Sequence, residues 1–346
     1  MRKGKQGALR RLTALLVVAL TMALWTLPVQ GAANASSSLD ETLGRHEKPA
    51  LSLDFSRLFG VKAQAGKVLI PGGQAVGIAI RTRGVLVVGL GDGAGVKAGI
   101  RAGDVLLSVN GRPLDSADVL TETVNAAAGQ PLNIVLQRSG KQQTMLATPQ
   151  YDESSRSWRL GVWVRDSTAG VGTMTYYDPE TGNYGALGHA ITDSDTGLVL
   201  PVRDGNLMRA EIVSVRKGER GMPGELKGSF LREQVDLGSV TKNSTSGIFG
   251  HMESTAANEL YPNGLPVGSR NDVHTGKATI LSTVNGSDMA EYSVEIMQVA
   301  RGGEQKSMVL RVTDDRLLSS TGGIVQGMSG SPIIQDGKLV GAVTHV

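Results

Sequence analysis

The sequence predicts a mainly β protein of two modules behind an apolar N-terminal helix. Glycine makes up 46 of the 346 residues and aromatic residues only 4%, so that glycine is about twice as frequent as in an average protein. Short runs of Val, Ile, Leu and Thr alternate with turn segments such as Asp178–Gly182 and Asp336–Gly337. In Ser293–Val299 apolar and polar residues alternate with a period near two, which is typical of a half-buried strand.

The first 35 residues differ in charge from the rest of the chain. They hold five of the 35 basic side chains and no acidic one, so the remaining 30 basic side chains face 32 acidic ones. An uncharged apolar run from Leu12 to Leu27 is followed by Ala33–Ala35, which has the form of a signal-peptidase site. We expect residues 1–35 to be a signal peptide or a membrane anchor, with the body of the protein outside the cytoplasm. Nucleic acid is not an expected partner, because the excess of basic charge belongs to this leader.

The next segment, residues 36–62, is polar and irregular and predicts a linker.

The chain contains no cysteine, so neither a disulfide nor a thiolate metal site is possible. We expect no metal ion and no cofactor.

Residues 63–149 have the pattern of a first β-rich module. Short apolar runs precede Ala102–Val105, Asn110–Gly111 predicts a hairpin turn, and Ser116 is placed to cap a helix that ends near Gly129. This series resembles a PDZ domain of the type associated with bacterial proteases. In such domains an extended peptide adds as a strand beside a loop and the second strand, unless the groove is filled by the protein's own chain. The predicted peptide-binding edge consists of Gln74, Ala75, Val76, Gly77 and Ile78.

The most informative segment of the chain is Gly327–Pro332, which places Ser329 between two glycines ahead of two short apolar strands. Glycine allows a tight bend and a close approach of backbone to substrate. The amides of Gly327 and Ser329 are therefore predicted to form an oxyanion hole beside the serine hydroxyl.

A serine nucleophile needs a base, and His189 is the candidate. It lies in Gly188–Ile191, where a predicted strand gives way to a turn. The order of histidine before serine is that of chymotrypsin. Because strands and turns dominate throughout, residues 150–346 predict a trypsin-like double β-barrel serine peptidase.

Several of these features together resemble the stage IV sporulation protein B family, serine peptidases of endospore-forming bacteria. The basic leader, the PDZ pattern, Gly188–Ile191 and, above all, Thr321–Val346 resemble that family, and Asp166–Thr175 and Lys217–Glu225 are similar as well. The resemblance implies an endopeptidase and covers nearly the whole chain.

The resemblance also assigns the catalytic residues. It implies that Ser329 is the nucleophile, that His189 is its base, and that Asp314 orients the imidazole. Asp314 lies closer to the serine along the chain than the acid of chymotrypsin-like enzymes does. Three other carboxylates therefore stay open as alternatives: Asp193, Asp236 and Asp315.

The family's biology, which comes from the resemblance alone, implies the partners. In that family the peptidase crosses the forespore membrane and cuts a regulator of an intramembrane metalloprotease in the mother cell, which allows a late sigma factor to be processed. We therefore expect a protein substrate, a PDZ peptide ligand, and a location between the forespore and mother-cell membranes. Family members also process themselves near the N-terminus, which makes residues 36–65 the expected region of self-cleavage.

Two other functions fit the sequence, and the chain end bears on one of them. The family continues past the position of Val346 with a Gly- and Tyr-containing segment, so we expect either a truncated sequence or a second barrel that ends early. A catalytically inactive, membrane-tethered PDZ scaffold is then the first alternative. A quality-control protease is the second, although that group generally places its PDZ domain after the catalytic domain.

Overall fold

The computed structural model describes residues 66–230, 236–255, 257–300 and 308–346. The predicted leader at 1–35 and the predicted linker at 36–62 lie outside the described residues. In the ranges that are described, none of the helices combines the length and the apolar character needed to cross a bilayer.

The described chain is mainly β, as the sequence predicts. Its helices are α1 (Ala94–Lys97), α2 (Ala117–Ala126) and α3 (Asp315–Thr321), and a 3₁₀ turn spans Arg270–Asp272. The strands, in chain order, are β1 (Val68–Pro71), β2 (Ala75–Leu90), β3 (Val105–Val109), β4 (Arg112–Pro113), β5 (Leu132–Arg138), β6 (Lys141–Ala147), β7 (Gln150–Asp152), β8 (Ser157–Arg159), β9 (Val162–Tyr177), β10 (Asn183–Ala186), β11 (Val202–Arg216), β12 (Glu225–Phe230), β13 (Gly238–Ser244), β14 (Gly247–Met252), β15 (Leu265–Pro266), β16 (Gly276–Asn285), β17 (Asp288–Val299), β18 (Met308–Val312), β19 (Pro332–Gln335) and β20 (Lys338–Ala342).

Six antiparallel strands close into a barrel. The ring runs β2–β9–β10–β14–β13–β11, and β11 pairs back with β2 to complete it. Ile78, Tyr184, Leu207 and Ile248 fill its interior, and each is at most 1% exposed. Closure leaves no free strand edge within the ring and buries one face of every strand.

A second antiparallel sheet lies in the C-terminal part of the chain, with the order β18–β17–β16–β19–β20. Its core includes Ile280, Ile296, Leu317, Val325 and Met328, which are fully buried. Because Leu317 lies on α3 and Met328 follows it, this core anchors both ends of the segment between α3 and β19.

The PDZ-like module contains β3 to β6 with α1 and α2 around a separate core. The predicted helix forms as expected: the Val119 amide donates to Ser116 Oγ at 3.2 Å, and Leu120 and Val124 point into the core. The helix stops before Gly129, whose φ of 85° suits glycine.

Strands β2 and β9 extend through both modules. The first half of β2 pairs with residues 167–173 of β9 inside the barrel, and its second half pairs with residues 162–165 and with β3. Gly84, at a φ of 82°, lies where β2 changes from one set of partners to the other. The first half of β2 thus belongs to the barrel although it precedes the predicted domain boundary at 149/150.

The predicted peptide-binding edge at Gln74–Ile78 is wrong. From Ala75 to Ile78 the chain pairs with β9, and from Val76 onward it pairs with β11 on its other side. The sequence pattern identifies a strand at this position but carries no information about its neighbours. A strand with partners on both sides has no free amides for a peptide.

Candidate active site

Ser329 lies in a tight turn between α3 and β19. The Gly330 amide donates to the Val343 carbonyl at 2.7 Å, and the Ser331 amide donates to the Met328 carbonyl at 3.0 Å. Gly330 has a φ of 101°, and a Cβ atom there would lie 2.1 Å from the Thr173 carbonyl oxygen. Only glycine fits this position, so the second glycine of the motif is required by close packing against β9.

The turn leaves two amides available beside the serine. Within the described ranges, neither the Gly327 amide nor the Ser329 amide donates a hydrogen bond to a protein acceptor. Their carbonyls instead face Thr173, whose hydroxyl and amide donate to them at 2.9 Å and 3.1 Å. Two unpaired amides in one turn are free to stabilise a negatively charged oxygen. The oxyanion hole at Gly327 and Ser329 stays a prediction that this turn permits.

His189 follows β10 in a second unusual turn. Leu187 and Gly188 both have positive φ values, 69° and 67°, and the Leu187 amide donates to the Thr173 carbonyl at 3.2 Å. The imidazole Nδ1 lies 2.8 Å from the Ala190 carbonyl oxygen. A carbonyl can only accept, so this contact assigns the proton to Nδ1 and leaves Nε2 free to accept one.

The segment after His189 is held by Asn243 on β13. Its side chain accepts from the Ile191 amide at 2.9 Å and donates to the Ile191 carbonyl at 2.7 Å. Sequence reasoning missed both Asn243 and Thr173, because nothing local distinguishes a polar strand residue that holds a distant turn from one that faces solvent.

The structure brings Ser329, His189 and Gly327 to one cavity of about 580 Å³, which Thr344 and His345 also line. Ser329 Oγ donates to the Thr344 carbonyl at 3.3 Å, and the rings of His189 and His345 lie 5.8 Å apart. Ser329 and His189 do not hydrogen-bond to each other in this structure. In unliganded enzymes such catalytic bonds are often long and tighten only around substrate.

Asp314 does not contact His189; it caps α3 instead. Its carboxylate accepts from the Arg316 and Leu317 amides at the start of the helix, from the Arg316 side chain at 2.8 Å, and from the Ser293 amide at 3.3 Å. The Arg316 hydrogen bond is the main cause that lowers the pKa of Asp314 to about 2, although burial opposes the shift. The expectation that Asp314 orients the imidazole is therefore not met in this structure.

The alternative carboxylates are engaged elsewhere as well. Asp193 pairs with Arg165 and accepts from the Thr196 amide at 2.8 Å, while Asp236 accepts from the Asn206 side chain at 2.7 Å. Among the residues that the structure describes, no carboxylate lies within hydrogen-bond distance of His189. No group of three or more His, Asp or Glu side chains in those ranges is placed to hold a metal ion.

We predict that Asp314→Asn leaves peptidase turnover within about threefold of the parent, whereas loss of a triad acid costs about 10⁴-fold. Asparagine caps helices as well as aspartate does, but it removes the charge that the mostly buried Asp314 carboxylate shares with Arg316. At pH 7 the variant should therefore lose about 1–3 kcal/mol of unfolding free energy. A carboxylate whose pKa is lowered in the fold stabilises it above the unfolded pKa, about 3.9. The difference between parent and variant should therefore vanish as the pH falls from about 4 towards 2.

Urea unfolding at several pH values and a turnover assay at pH 7 check this prediction. A loss of 10³-fold or more in turnover, with unchanged unfolding, would return Asp314 to a catalytic role.

A second cavity, of about 710 Å³, lies between α2 and the chain around the start of β9. Leu120 and Val124 line it from the helix, and Leu160 and Val162–Val164 line it from the opposite side. Residues 162–165 pair with β2 on one side, and among the described strands none pairs with them on the other. Polar residues of β7 and β8, such as Gln150 and Arg159, line the rest of the groove. A one-sided strand facing a helix across a groove is the arrangement into which an extended peptide adds as a strand.

Comparison with known proteins identifies a family. The family model of the SpoIVB peptidase S55 matches residues 156–346, more than half of the chain and all of the segment that holds Ser329 and His189. The chain belongs to the SpoIVB peptidase S55 family. A PDZ domain model matches residues 91–138, which include α2. The resemblance, the serine peptidase class and the PDZ module are thus confirmed.

Two individual proteins are similar over short stretches of this S55 peptidase. A zinc metalloprotease, RasP, from Geobacillus kaustophilus (strain HTA426) is 30% identical over 59 residues, which are 17% of this chain and 14% of that protease. The chain thus spans about one seventh of that relative's length. The crystal structure of the PDZ domain of an SdrC-like protein from Listeria monocytogenes matches at 15% identity with a TM-score of 0.22, over 24% of this chain and 87% of that domain.

Proposed function

We propose that this S55 peptidase is an extracytoplasmic serine endopeptidase of sporulation signalling in which Ser329 is the nucleophile and His189 the general base. The observation that carries the proposal is that Ser329, His189 and Gly327 line one cavity, beside a turn in which the Gly327 and Ser329 amides donate to no described protein acceptor. Nucleophile, base and oxyanion donors are the three parts that peptide hydrolysis by a serine requires.

The geometry supports an acyl-transfer mechanism. Ser329 Oγ attacks the peptide carbonyl and gives its proton to His189 Nε2, while the Gly327 and Ser329 amides stabilise the oxyanion. His189 then protonates the leaving amine, and water releases the acyl-enzyme by the same steps in reverse. In this structure the Ala190 carbonyl, not a carboxylate, orients the imidazole through Nδ1. For the attack, the Ser329 hydroxyl has to exchange its hydrogen bond to the Thr344 carbonyl for one to Nε2.

The PDZ module supports regulated access of a protein substrate. The groove between α2 and residues 160–164 offers a one-sided strand with Leu120, Val124 and Leu160 beside it, so a peptide strand is its proposed ligand. Consistent with the family's biology, the proposed substrate is a protein regulator of an intramembrane metalloprotease, and the proposed location is outside the cytoplasm behind the apolar leader. Self-cleavage within residues 36–65 belongs to the same proposal.

A covalent probe for active serines tests the catalytic part. A fluorophosphonate should label the full chain at Ser329, and Ser329→Ala should abolish labelling, because only an activated hydroxyl attacks phosphorus at a useful rate. Labelling is read by gel fluorescence, and the labelled residue by mass spectrometry of a digest.

Ser319→Ala is the matched control, since Ser319 lies nearby on α3 but is exposed to solvent. It should label like the parent. Equal labelling of the parent and Ser329→Ala would favour the inactive PDZ scaffold instead.

A further inference from the structure

Thr173, on β9, contacts both turns of the candidate active site. Its hydroxyl donates to the Gly327 carbonyl at 2.9 Å and its amide donates to the Ser329 carbonyl at 3.1 Å, while its own carbonyl accepts the Leu187 amide at 3.2 Å. The residue is 1% exposed, so these bonds are shielded from competing water. One residue of the barrel thus joins the turn of Ser329 to the turn that leads to His189.

Of the four carbonyls from residue 326 to residue 329, only that of Gly327 depends on a side chain. The other three accept backbone amides, which no substitution of a side chain removes directly. These bonds are Leu226 amide to Gln326 carbonyl at 2.8 Å, Ser331 amide to Met328 carbonyl at 3.0 Å, and Thr173 amide to Ser329 carbonyl at 3.1 Å.

The Gly327 carbonyl is also the one most in need of a partner. Gly327 has a φ of 98° and no Cβ, so steric hindrance does little to oppose rotation of the peptide group between Gly327 and Met328. The amides of Gly327 and Ser329 belong to the two peptide groups that flank this one. Their relative orientation depends on the ψ of Gly327 and the φ of Met328, the two angles that a fixed Gly327 carbonyl restrains. Amides that stabilise an oxyanion must be held in position before the reaction, because reorganisation during the reaction raises the barrier.

We infer that Thr173 is a positioning residue whose hydroxyl holds the Gly327–Met328 peptide, and thereby the two oxyanion-hole amides, in the productive orientation. The inference rests on the proposed function and adds to it a residue that contacts neither substrate nor base. If Thr173 has this role, its substitution should lower the rate of the chemical step but leave the affinity for ligand unchanged.

The experiment measures fluorophosphonate labelling of the full chain, resolved into KI for binding and kinact for the covalent step. Thr173→Val keeps the shape of the side chain but removes the donor, and kinact should fall about 10- to 100-fold, somewhat less than for deletion of an oxyanion donor itself. KI should stay within about twofold of the parent. Thr173→Ser keeps the donor and should restore kinact to within about threefold of the parent.

Thr173→Cys, with a weak donor, should fall between serine and valine. If the valine variant does not fold, the serine and cysteine variants decide, and equal kinact values for these two would overturn the inference. An unchanged kinact in a folded Thr173→Val, or a kinact for Thr173→Ser as low as that for valine, would overturn it as well. Absence of labelling at Ser329 in the parent would overturn the proposed function itself, whereas rapid labelling of parent and Thr173→Val alike removes only the role of Thr173.

Discussion

Replacing His189 with alanine should lower the turnover of peptide hydrolysis by about 10⁶-fold, the effect of removing the base from a serine peptidase triad. The His189 ring lines the cavity of Ser329, and its Nδ1 is engaged by the Ala190 carbonyl, which leaves Nε2 to accept the serine proton. Without this acceptor the hydroxyl remains a weak nucleophile at neutral pH. Steady-state hydrolysis of a quenched peptide, with thermal unfolding measured alongside, checks the prediction.

His251→Ala serves as the control, because His251 is an exposed residue of β14 that does not line this cavity. Turnover of the control should match the parent. If His189→Ala and His251→Ala reduce turnover equally, the base lies elsewhere; His345, whose ring is 5.8 Å from that of His189, would be tested next.

A fragment that begins at the predicted domain boundary, residues 150–346, should fail to fold and should label with no active-site probe. It lacks β2, which closes the barrel between β9 and β11. It also lacks Val76, Ile78 and Ile80, each 1% exposed. Burial of each such side chain contributes roughly 1.5–3 kcal/mol, so their loss approaches the entire stability of a typical domain, about 5–15 kcal/mol.

Circular dichroism melting and fluorophosphonate labelling test this expectation, with residues 66–346 as the control fragment because it retains every described strand. The control should melt cooperatively and label. A cooperative melt and labelling of residues 150–346 would show that β2 is dispensable to the barrel.

Features determined by a short stretch of chain are predicted well by this sequence. Ser116 caps α2 as expected, Asp336–Gly337 forms its turn with φ values of 49° and 71°, and Ser329 lies in a glycine-flanked turn. In each case the residue types that the backbone conformation requires are adjacent in the sequence.

Long-range pairing is what the sequence does not disclose. Val76–Ile80 reads as a strand, but whether it is an edge or the interior of a barrel depends on residues more than 80 positions away. The role of Asp314, in contrast, could be predicted from nearby residues. Asp314 precedes the apolar pair Leu317 and Leu318, and Gly322 follows at the end of the helix with a φ of 77°. These are helix start and stop signals, and a capping role for Asp314 follows from them without any structure.

The register of β2 against β9 has a consequence for how the modules can be separated. These strands are antiparallel neighbours, with Arg81 opposite Ser167. Residues 82–166 therefore connect two paired strands, as the loop of a hairpin does, and they contain the PDZ module. The PDZ module is therefore an insertion within the peptidase and not a unit appended before it. To remove the PDZ module without disrupting the peptidase barrel, residues 82–166 would be deleted and Arg81 joined to Ser167 through a two-residue turn of the Asn-Gly type. An exchange of PDZ modules between relatives would have to replace the chain at two junctions at once, one on β2 and one on β9.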